Sequence, residues 1–197
     1  MLRAFSQLLC LALLSLAINS ETSEPSKNNH GISGLINLPN AYFADAGNAS
    51  MTIFRGEPDR KYSFTFSPTN WMEGGFYYSD ITGKEYGFGY EQSYKDKGFN
   101  VKFKLKDQGK LPALAIGLND FAGTGIYSSE YIVSSYKYNN FDFTLGFGWG
   151  NLAGSATFTN PFTQISDKFL DRQSSYGEGG DFNFSSYFAG KNASLFA

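Results

Sequence analysis

The sequence predicts an all-β protein, an antiparallel up-and-down meander that forms a transmembrane β-barrel or part of one. Apolar and polar residues alternate with a period of two along much of the chain, as in strands with two different faces. The composition also favours strands, since 197 residues include 20 Phe, 13 Tyr and 22 Gly. The alternating stretches are joined mostly by short connections rich in Gly, Asn, Asp and Lys.

The clearest alternation lies in residues 98–150. From Phe99 to Leu105 apolar residues alternate with asparagine and lysines, and from Phe141 to Trp149 they alternate with Asp, Thr and Gly. In a water-soluble sandwich the aromatic face would be the core, whereas in a membrane barrel it would contact lipid and the charged face would line the lumen. Sequential hairpins favour the barrel, because Greek-key sandwiches usually need longer crossings. A soluble periplasmic carbohydrate-binding β-sandwich remains the alternative.

The first 20 residues have the pattern of a signal peptide. Arg3 precedes the apolar run Leu8–Ile18, and Ser15 to Ala17 supplies small residues for cleavage. Cys10 lies inside that run, so we interpret it as part of the cleaved signal, which leaves a mature chain without cysteine. An exported chain without disulfides fits a bacterial envelope protein.

The predicted domains are a signal peptide at 1–20, a leader and entry segment at 21–47, and a barrel segment at 48–197. Residues 21–30 are polar and are expected to be flexible, and residues 31–41 are apolar and interrupted by glycine. Eight strands are predicted in the barrel segment: Asn48–Arg55, Lys61–Ser67, Trp71–Ser79, Glu85–Gln92, Gly98–Lys106, Pro112–Phe121, Ser129–Tyr138 and Phe141–Gly150.

The connections predict which side of the membrane each loop occupies. The tightest turn, Asn139-Asn140, indicates the periplasmic side, where barrels place their short turns. Residues 121–128 and the long polar segment 151–180 then belong to the outer side. A further strand, Asp181–Phe188, is predicted to descend from that segment.

Six charged residues are candidates for the lumen face: Lys102, Lys104, Lys106, Asp120, Glu130 and Asp142. The three lysines form a basic row on one predicted strand face, which could steer an acidic polymer through a pore. The more ordinary interpretation is an ion-pair network with the three acids, or a solvated face.

The sequence offers little material for catalysis. His30 is the only histidine, so histidine-based catalysis and metal binding are not expected, and we predict no cofactor, metal or catalytic residue. Asp120 and Glu130 flank one turn and could meet at a rim, which keeps an outer-membrane enzyme acting on polysaccharide or lipid as an alternative. The formal net charge of −2 gives no indication of a nucleic-acid partner.

Residues 94–151 resemble the YjbH-like family of outer-membrane proteins from exopolysaccharide and group 4 capsule clusters. The resemblance is carried, in the family's order and spacing, by YKDKGFNVKFKL, LPALAIGLNDFAGTGIYSSEYIVSSYKY and NFDFTLGFGWGNL. GISGLINLPNA resembles the family's opening motif, although Tyr42 stands where many members carry arginine. Members are typically several times longer, so the chain is expected to be an N-terminal part of a longer protein.

The resemblance implies an outer-membrane β-barrel that takes part in making or exporting an extracellular polysaccharide. It therefore implies a role as a conduit or assembly component. The implied partners are outer-membrane lipid, the polysaccharide and other export components. It implies no cofactor and no catalytic residue.

Overall fold

The computed structural model describes residues 24–87, 89, 91–172, 180, 182 and 184–197. These residues form strands and short 3-10 helices, and no α-helix occurs among them. Within this part of the chain, no helix is long and apolar enough to cross a membrane. The strands are β1 (Gly34–Leu35), β2 (Leu38–Pro39), β3 (Ala49–Arg55), β4 (Asp59–Thr69), β5 (Met72–Glu85), β6 (Ser93–Lys106), β7 (Ala113–Asn119), β8 (Ser129–Tyr138), β9 (Phe141–Gly148), β10 (Thr157–Thr159) and β11 (Asn192–Phe196). The 3-10 helices are Gly150–Leu152, Pro161–Gln164, Asp167–Phe169 and Phe184–Ser186.

Nine strands form one antiparallel sheet in the order β10-β11-β9-β8-β7-β6-β5-β4-β3, and β1 and β2 form a separate hairpin. From β3 to β9 each strand pairs with the next one in sequence, which confirms the predicted all-β meander. At the far edge β11 is inserted between β9 and β10. Among the described residues the edge strands β3 and β10 do not pair with each other, so the sheet is open and no closed barrel is formed.

The predicted strand Glu85–Gln92 is wrong. Strands β5 and β6 are each 14 residues long, and the predicted strand falls on the connection between them. The Tyr86 amide donates to the Gln92 carbonyl at 3.0 Å and closes this loop. Gly89 turns the chain with φ of +84°, a conformation that glycine adopts without strain. Phe88 and Tyr90 lie outside the described residues.

The predicted strand Asp181–Phe188 is also wrong in its described part. Phe184–Ser186 is a 3-10 helix, and the strand that completes this edge is β11, which was not predicted. Asp181 and Asn183 lie outside the described residues. The chain turns here because carbonyls of Ser186 and Ala189 point at one cation, Arg172, instead of at a neighbouring strand.

The two faces of the large sheet are opposite in character. One face, called the outer face, carries exposed apolar side chains such as Phe64, Phe143 and Leu145, which are 52%, 59% and 53% exposed. The other, called the inner face, carries buried polar ones such as Glu73 and Lys102, both 0% exposed. The predicted period of two is therefore confirmed, with the polar side chains inside.

Residues 24–47, called the covering segment, pack on the inner face. A small apolar core joins Ile32 and Ala41 of this segment to small and apolar residues of the sheet: Ala113, Ala115, Tyr131, Val133 and Phe196. The expectation that residues 21–30 are flexible is wrong for those that are described, because Lys27 and His30 contact the sheet. Residues 1–23, with the predicted signal peptide, lie outside the described residues.

The connections define two rims. The tight-turn rim holds the turns at 70–71, 107–112 and 139–140, and the long-loop rim holds the described residues of 56–58, 86–92, 120–128, 149–156 and 160–191. Residues 121–128 and the segment after residue 150 thus share one rim, opposite the Asn139-Asn140 turn, as the sequence predicts.

Candidate functional site

The candidate site is the polar inner face together with the covering segment. Two groups of side chains join them. The Glu73 cluster consists of Lys27, Ser33, Glu73 and Lys102, and the His30 cluster consists of His30, Lys61, Tyr77, Asp96, Asp120 and Tyr127. Each cluster combines strand residues with residues of the covering segment or of a rim loop.

Glu73 is the most heavily bonded carboxylate of the inner face. The Lys27 ammonium lies 2.7 Å from its carboxylate and the Lys102 ammonium 3.6 Å. The Ser33 amide donates at 2.7 Å and the Ser33 hydroxyl donates as well. A buried carboxylate is tolerated only with such partners. Sequence reasoning missed Glu73, although the Trp71–Ser79 alternation places it on the same face as Gly75 and Tyr77.

Lys102 lies on the inner face, as predicted, but contacts the covering segment and lines no open lumen there. Its ammonium donates to the carbonyl of Tyr42 at 2.7 Å and to those of Ser33 and Asn40 at 3.4 Å each. It also lies 4.3 Å from the centre of the Phe43 ring. Lys102 and Glu73 are cross-strand neighbours on β6 and β5. Together they bind the covering segment, Lys102 through its backbone carbonyls and Glu73 through the side chains of Lys27 and Ser33.

The predicted row of three lysines is wrong at Lys106. Lys102 and Lys104 pair in register with Gly117 and Ala115, but a β-bulge then places Lys106 opposite Leu114. A one-residue shift reverses the side-chain direction, so Lys106 lies on the outer face. Lys104 stays on the inner face, where its ammonium lies 2.8 Å from Asp107.

The His30 cluster lies toward the long-loop rim. The Lys61 ammonium sits 3.4 Å from Nδ1 of His30 and 3.6 Å from the centre of the Tyr127 ring. The Tyr77 hydroxyl donates to Asp96 at 3.1 Å. Burial, followed by the charge of Lys61, lowers the pKa of His30 to about 3. The imidazole is therefore neutral at physiological pH and does not repel the buried ammonium of Lys61.

Asp120 belongs to this cluster, on the inner side of the sheet. Its φ of +55° takes it out of the β7 alternation, and its carboxylate accepts the Tyr127 amide at 3.1 Å. Burial raises the pKa of Asp120 to about 6, and the nearby Asp96 adds to the rise. Asp120 therefore holds the 120–128 loop closed over the rim.

Glu130 does not lie on the predicted lumen face. It pairs in register with Leu118, which places it on the outer face, although it is only 1% exposed. Arg172 covers it with two contacts of 2.7 Å, one to each carboxylate oxygen, and the Phe188 amide donates at 2.9 Å. The conformation of the turn between β7 and β8 determines the register of β8 and therefore the face on which Glu130 lies. Sequence reasoning missed Arg172, because it is distant from Glu130 in sequence and lies in a predicted loop.

Asp142 lies on the inner face near the tight-turn rim, opposite Lys137 in register. It accepts the Tyr42 hydroxyl at 2.8 Å, and burial followed by this bond raises the pKa of Tyr42. A cavity of about 370 Å³ opens here between the covering segment and β9, lined in part by Glu24, Tyr42 and Asp142.

The six predicted residues do not assemble into one group. Of the described ion pairs, none joins Lys102, Lys104 or Lys106 to Asp120, Glu130 or Asp142. Asp120 lies on the inner side and Glu130 on the outer face, so the possible approach of these two carboxylates at one rim does not occur. In the part of the chain that is described, no group of three or more His, Cys, Asp or Glu could hold a metal ion. That the chain is not an enzyme stays a prediction.

The fold and the site define a class: meander sheets with an apolar outer face and a polar inner face covered by the chain's own N-terminal segment. The chain belongs to the YjbH family, whose model, described as "Exopolysaccharide biosynthesis protein YbjH", matches residues 26–197. This confirms the resemblance to the family.

A relative from Escherichia coli (strain K12) carries the name "Uncharacterized lipoprotein YjbH". It is 37% identical over 177 residues, which cover 87% of this chain and 25% of the relative. The chain thus spans about a quarter of that relative's length. No solved structure matches the chain.

Proposed function

We propose that this chain forms part of the wall of an outer-membrane β-barrel that takes part in exopolysaccharide production or export, as a conduit or assembly component. The observation that carries the proposal is the inverted sheet, with exposed apolar side chains outside and buried charges inside. The polysaccharide comes from the family, whose description names exopolysaccharide biosynthesis.

The outer face is too apolar for a surface in water. One cross-strand row consists of Met51, Phe64, Phe76 and Phe99, which are 69%, 52%, 40% and 46% exposed. Soluble monomers rarely expose contiguous apolar patches of more than a few hundred Å². Lipid tails remove this cost, and barrels in membranes carry such an apolar band.

Aromatic residues at the two rims support the same proposal. Tyr62 and Tyr78 lie at the long-loop end of the outer face, and Trp71, Tyr138 and Phe141 lie toward the tight-turn end; all are at least 39% exposed. Tyr and Trp are enriched at both membrane–water interfaces, because their rings are amphipathic.

The covering segment occupies the space that a conduit would use. Transport along this part of the wall therefore requires the segment to move, or the polymer to pass along other walls of the complete barrel. The E. coli relative is called a lipoprotein, which supports an exported, envelope-attached protein, and we propose the outer membrane as the location.

The test is heat-modifiable migration of the protein at its natural full length, taken from the membrane fraction. A barrel is expected to run faster on gel electrophoresis before boiling than after it, and to resist extraction with carbonate or high salt. Release into aqueous buffer without detergent would favour the soluble sandwich and overturn the proposal.

A further inference from the structure

The outer face is ordered in layers toward the long-loop rim. The row nearest the rim is Arg55, Arg60, Asp80 and Lys95, which are neighbours in register across β3 to β6 and are called the charged row. The next row is Ile53, Tyr62, Tyr78 and Lys97, and the row after it is the apolar one that begins at Met51. Charge, tyrosine and hydrocarbon thus follow each other in the order of a membrane interface.

The charged row and Lys97 of the next row together have an excess of positive charge. Lys95 is neutralised by Asp80 at 2.7 Å, but Arg55, Arg60 and Lys97 take part in none of the ion pairs between described residues. All three are exposed. Arg55 and Arg60 lie directly opposite each other, an arrangement that is unfavourable for like charges unless an anion lies between them.

We propose that Arg55, Arg60 and Lys97 bind the phosphate groups of anionic lipid headgroups at the long-loop rim. Guanidinium groups match phosphate oxygens in a bidentate manner, and the tyrosine row below would contact the glycerol and upper acyl region. The inference rests on the proposed function, because the row meets a headgroup only if the apolar rows below it lie in lipid. It goes further by naming a lipid class and the residues that select it.

The occupant is a lipid, and not the polysaccharide, because of where the row lies. It continues the apolar outer face, whereas the candidate site for a polymer is on the inner face. Basic residues close to an anionic membrane surface each strengthen binding by about fivefold at low ionic strength.

The experiment measures headgroup binding to the natural-length protein in neutral detergent micelles. Phosphatidylglycerol is titrated into the micelles, phosphatidylcholine serves as the uncharged comparison, and bound lipid is counted by native mass spectrometry. The test variant is Arg55→Gln/Arg60→Gln/Lys97→Gln. The control, Lys106→Gln/Lys110→Gln/Lys168→Gln, removes the same charge from exposed positions away from the row.

The wild type is expected to prefer phosphatidylglycerol, and the test variant to bind it about 100-fold more weakly at low salt, with the control close to wild type. Raising the salt from about 50 to 300 mM is expected to reduce the difference, since exposed charges are screened. Equal binding by the test variant, or equal loss in the control, would overturn the inference. So would a variant that keeps phosphatidylglycerol but loses a soluble acidic polysaccharide, because the row would then bind the polymer.

Heat-modifiable migration is recorded for every sample, so the two proposals can fail separately. Absence of heat modifiability in the wild type counts against the barrel. A heat-modifiable test variant with wild-type lipid binding counts only against the charged row. If the triple variant does not fold, Arg55→Gln and Lys97→Gln are measured singly, each with an expected loss of about fivefold.

Discussion

Glu73 and Glu130 are both buried carboxylates on the same sheet, each covered by a cation from a segment outside the sheet. Glu73 lies on the inner face among other polar groups and is bound by Lys27, Lys102 and Ser33. Glu130 lies on the outer face, where Arg172 is its only cation among the described residues. Glu73 is part of a polar layer, whereas Glu130 and its partners Arg172 and Phe188 form a small polar group at the end of an apolar band.

The difference shows how one sheet uses buried charge in two ways. On the inner face several contacts hold the covering segment, from Lys27 and Ser33 to Glu73 and from Lys102 to backbone carbonyls. On the outer face one bidentate pair of Arg172 with Glu130, together with the Phe188 amide, attaches residues 172 and 188 to β8 near the long-loop rim. Loss of one partner should therefore cost more at Glu130 than at Glu73.

The largest effect is expected for Arg172→Met, which leaves Glu130 buried without a cation. Removing one member of a buried pair costs about 3–5 kcal/mol. Urea unfolding in detergent micelles measures the change. The control is Glu130→Gln/Arg172→Met, which should recover much of the loss, because no unpaired charge remains; a double variant as unstable as the single one would show that the pair is not the cause.

Glu73→Gln is expected to cost about 2–3 kcal/mol, since the amide oxygen still accepts the Ser33 amide, but the NH2 group cannot accept from the Ser33 hydroxyl or from Lys27, and two cations lose their carboxylate. The effect that distinguishes this variant is release of the covering segment, which is measured as faster amide hydrogen exchange in residues 24–47. Lys104→Gln, also on the inner face but paired with the exposed Asp107, is the matched control. Unchanged exchange in the Glu73 variant would contradict the assigned anchor.

Asp120 provides a pH-dependent contribution. Its folded-state pKa of about 6 lies above the unfolded value near 3.9, so the folded state binds more protons between these values. Stability should therefore fall as the pH rises from about 4 to 6, by on the order of 2 kcal/mol in total. Unfolding midpoints at a series of pH values measure it, and the fall should be absent in Asp120→Asn. If Asp120→Asn shows the same fall in stability between pH 4 and 6, another group causes the pH dependence.

The smallest effect is expected for Lys106→Gln, within about 0.5 kcal/mol, because the bulge directs this side chain to the exposed outer face. Lys102→Met, by contrast, removes a buried cation and should destabilise by about 3 kcal/mol. Equal effects in urea unfolding would mean that the two lysines share a face, as the sequence pattern first predicted.

Much of the fold could be predicted because period-two alternation depends only on neighbouring residues. The strands around Phe99, Val133 and Phe143 were found in this way, and so was the shared rim of the two long connections. The strand at Asn192–Phe196 was missed, because its partner β9 is distant in sequence and a short segment near the chain end carries little pattern.

The site was predicted less well. Lys102 and Asp142 lie on the expected face, but Glu73 and Arg172, which make the decisive ion pairs, were not expected. Their partners come from residues 27 and 130, and no local pattern links positions so far apart in sequence. His30, which the sequence pattern assigns to a flexible leader, packs against Lys61, a residue that is also distant in sequence.

The sequence by itself determined that the strands are two-faced and run as a meander, because side-chain direction alternates along every extended strand. Only the tertiary structure decided which residue reaches which face, since a bulge at Leu105 and the turn before Ser129 each change the parity of the strand. Packing of the covering segment then decided which charges of the inner face are paired. A buried charge is stable only where an oppositely charged or hydrogen-bonding group from another part of the chain contacts it.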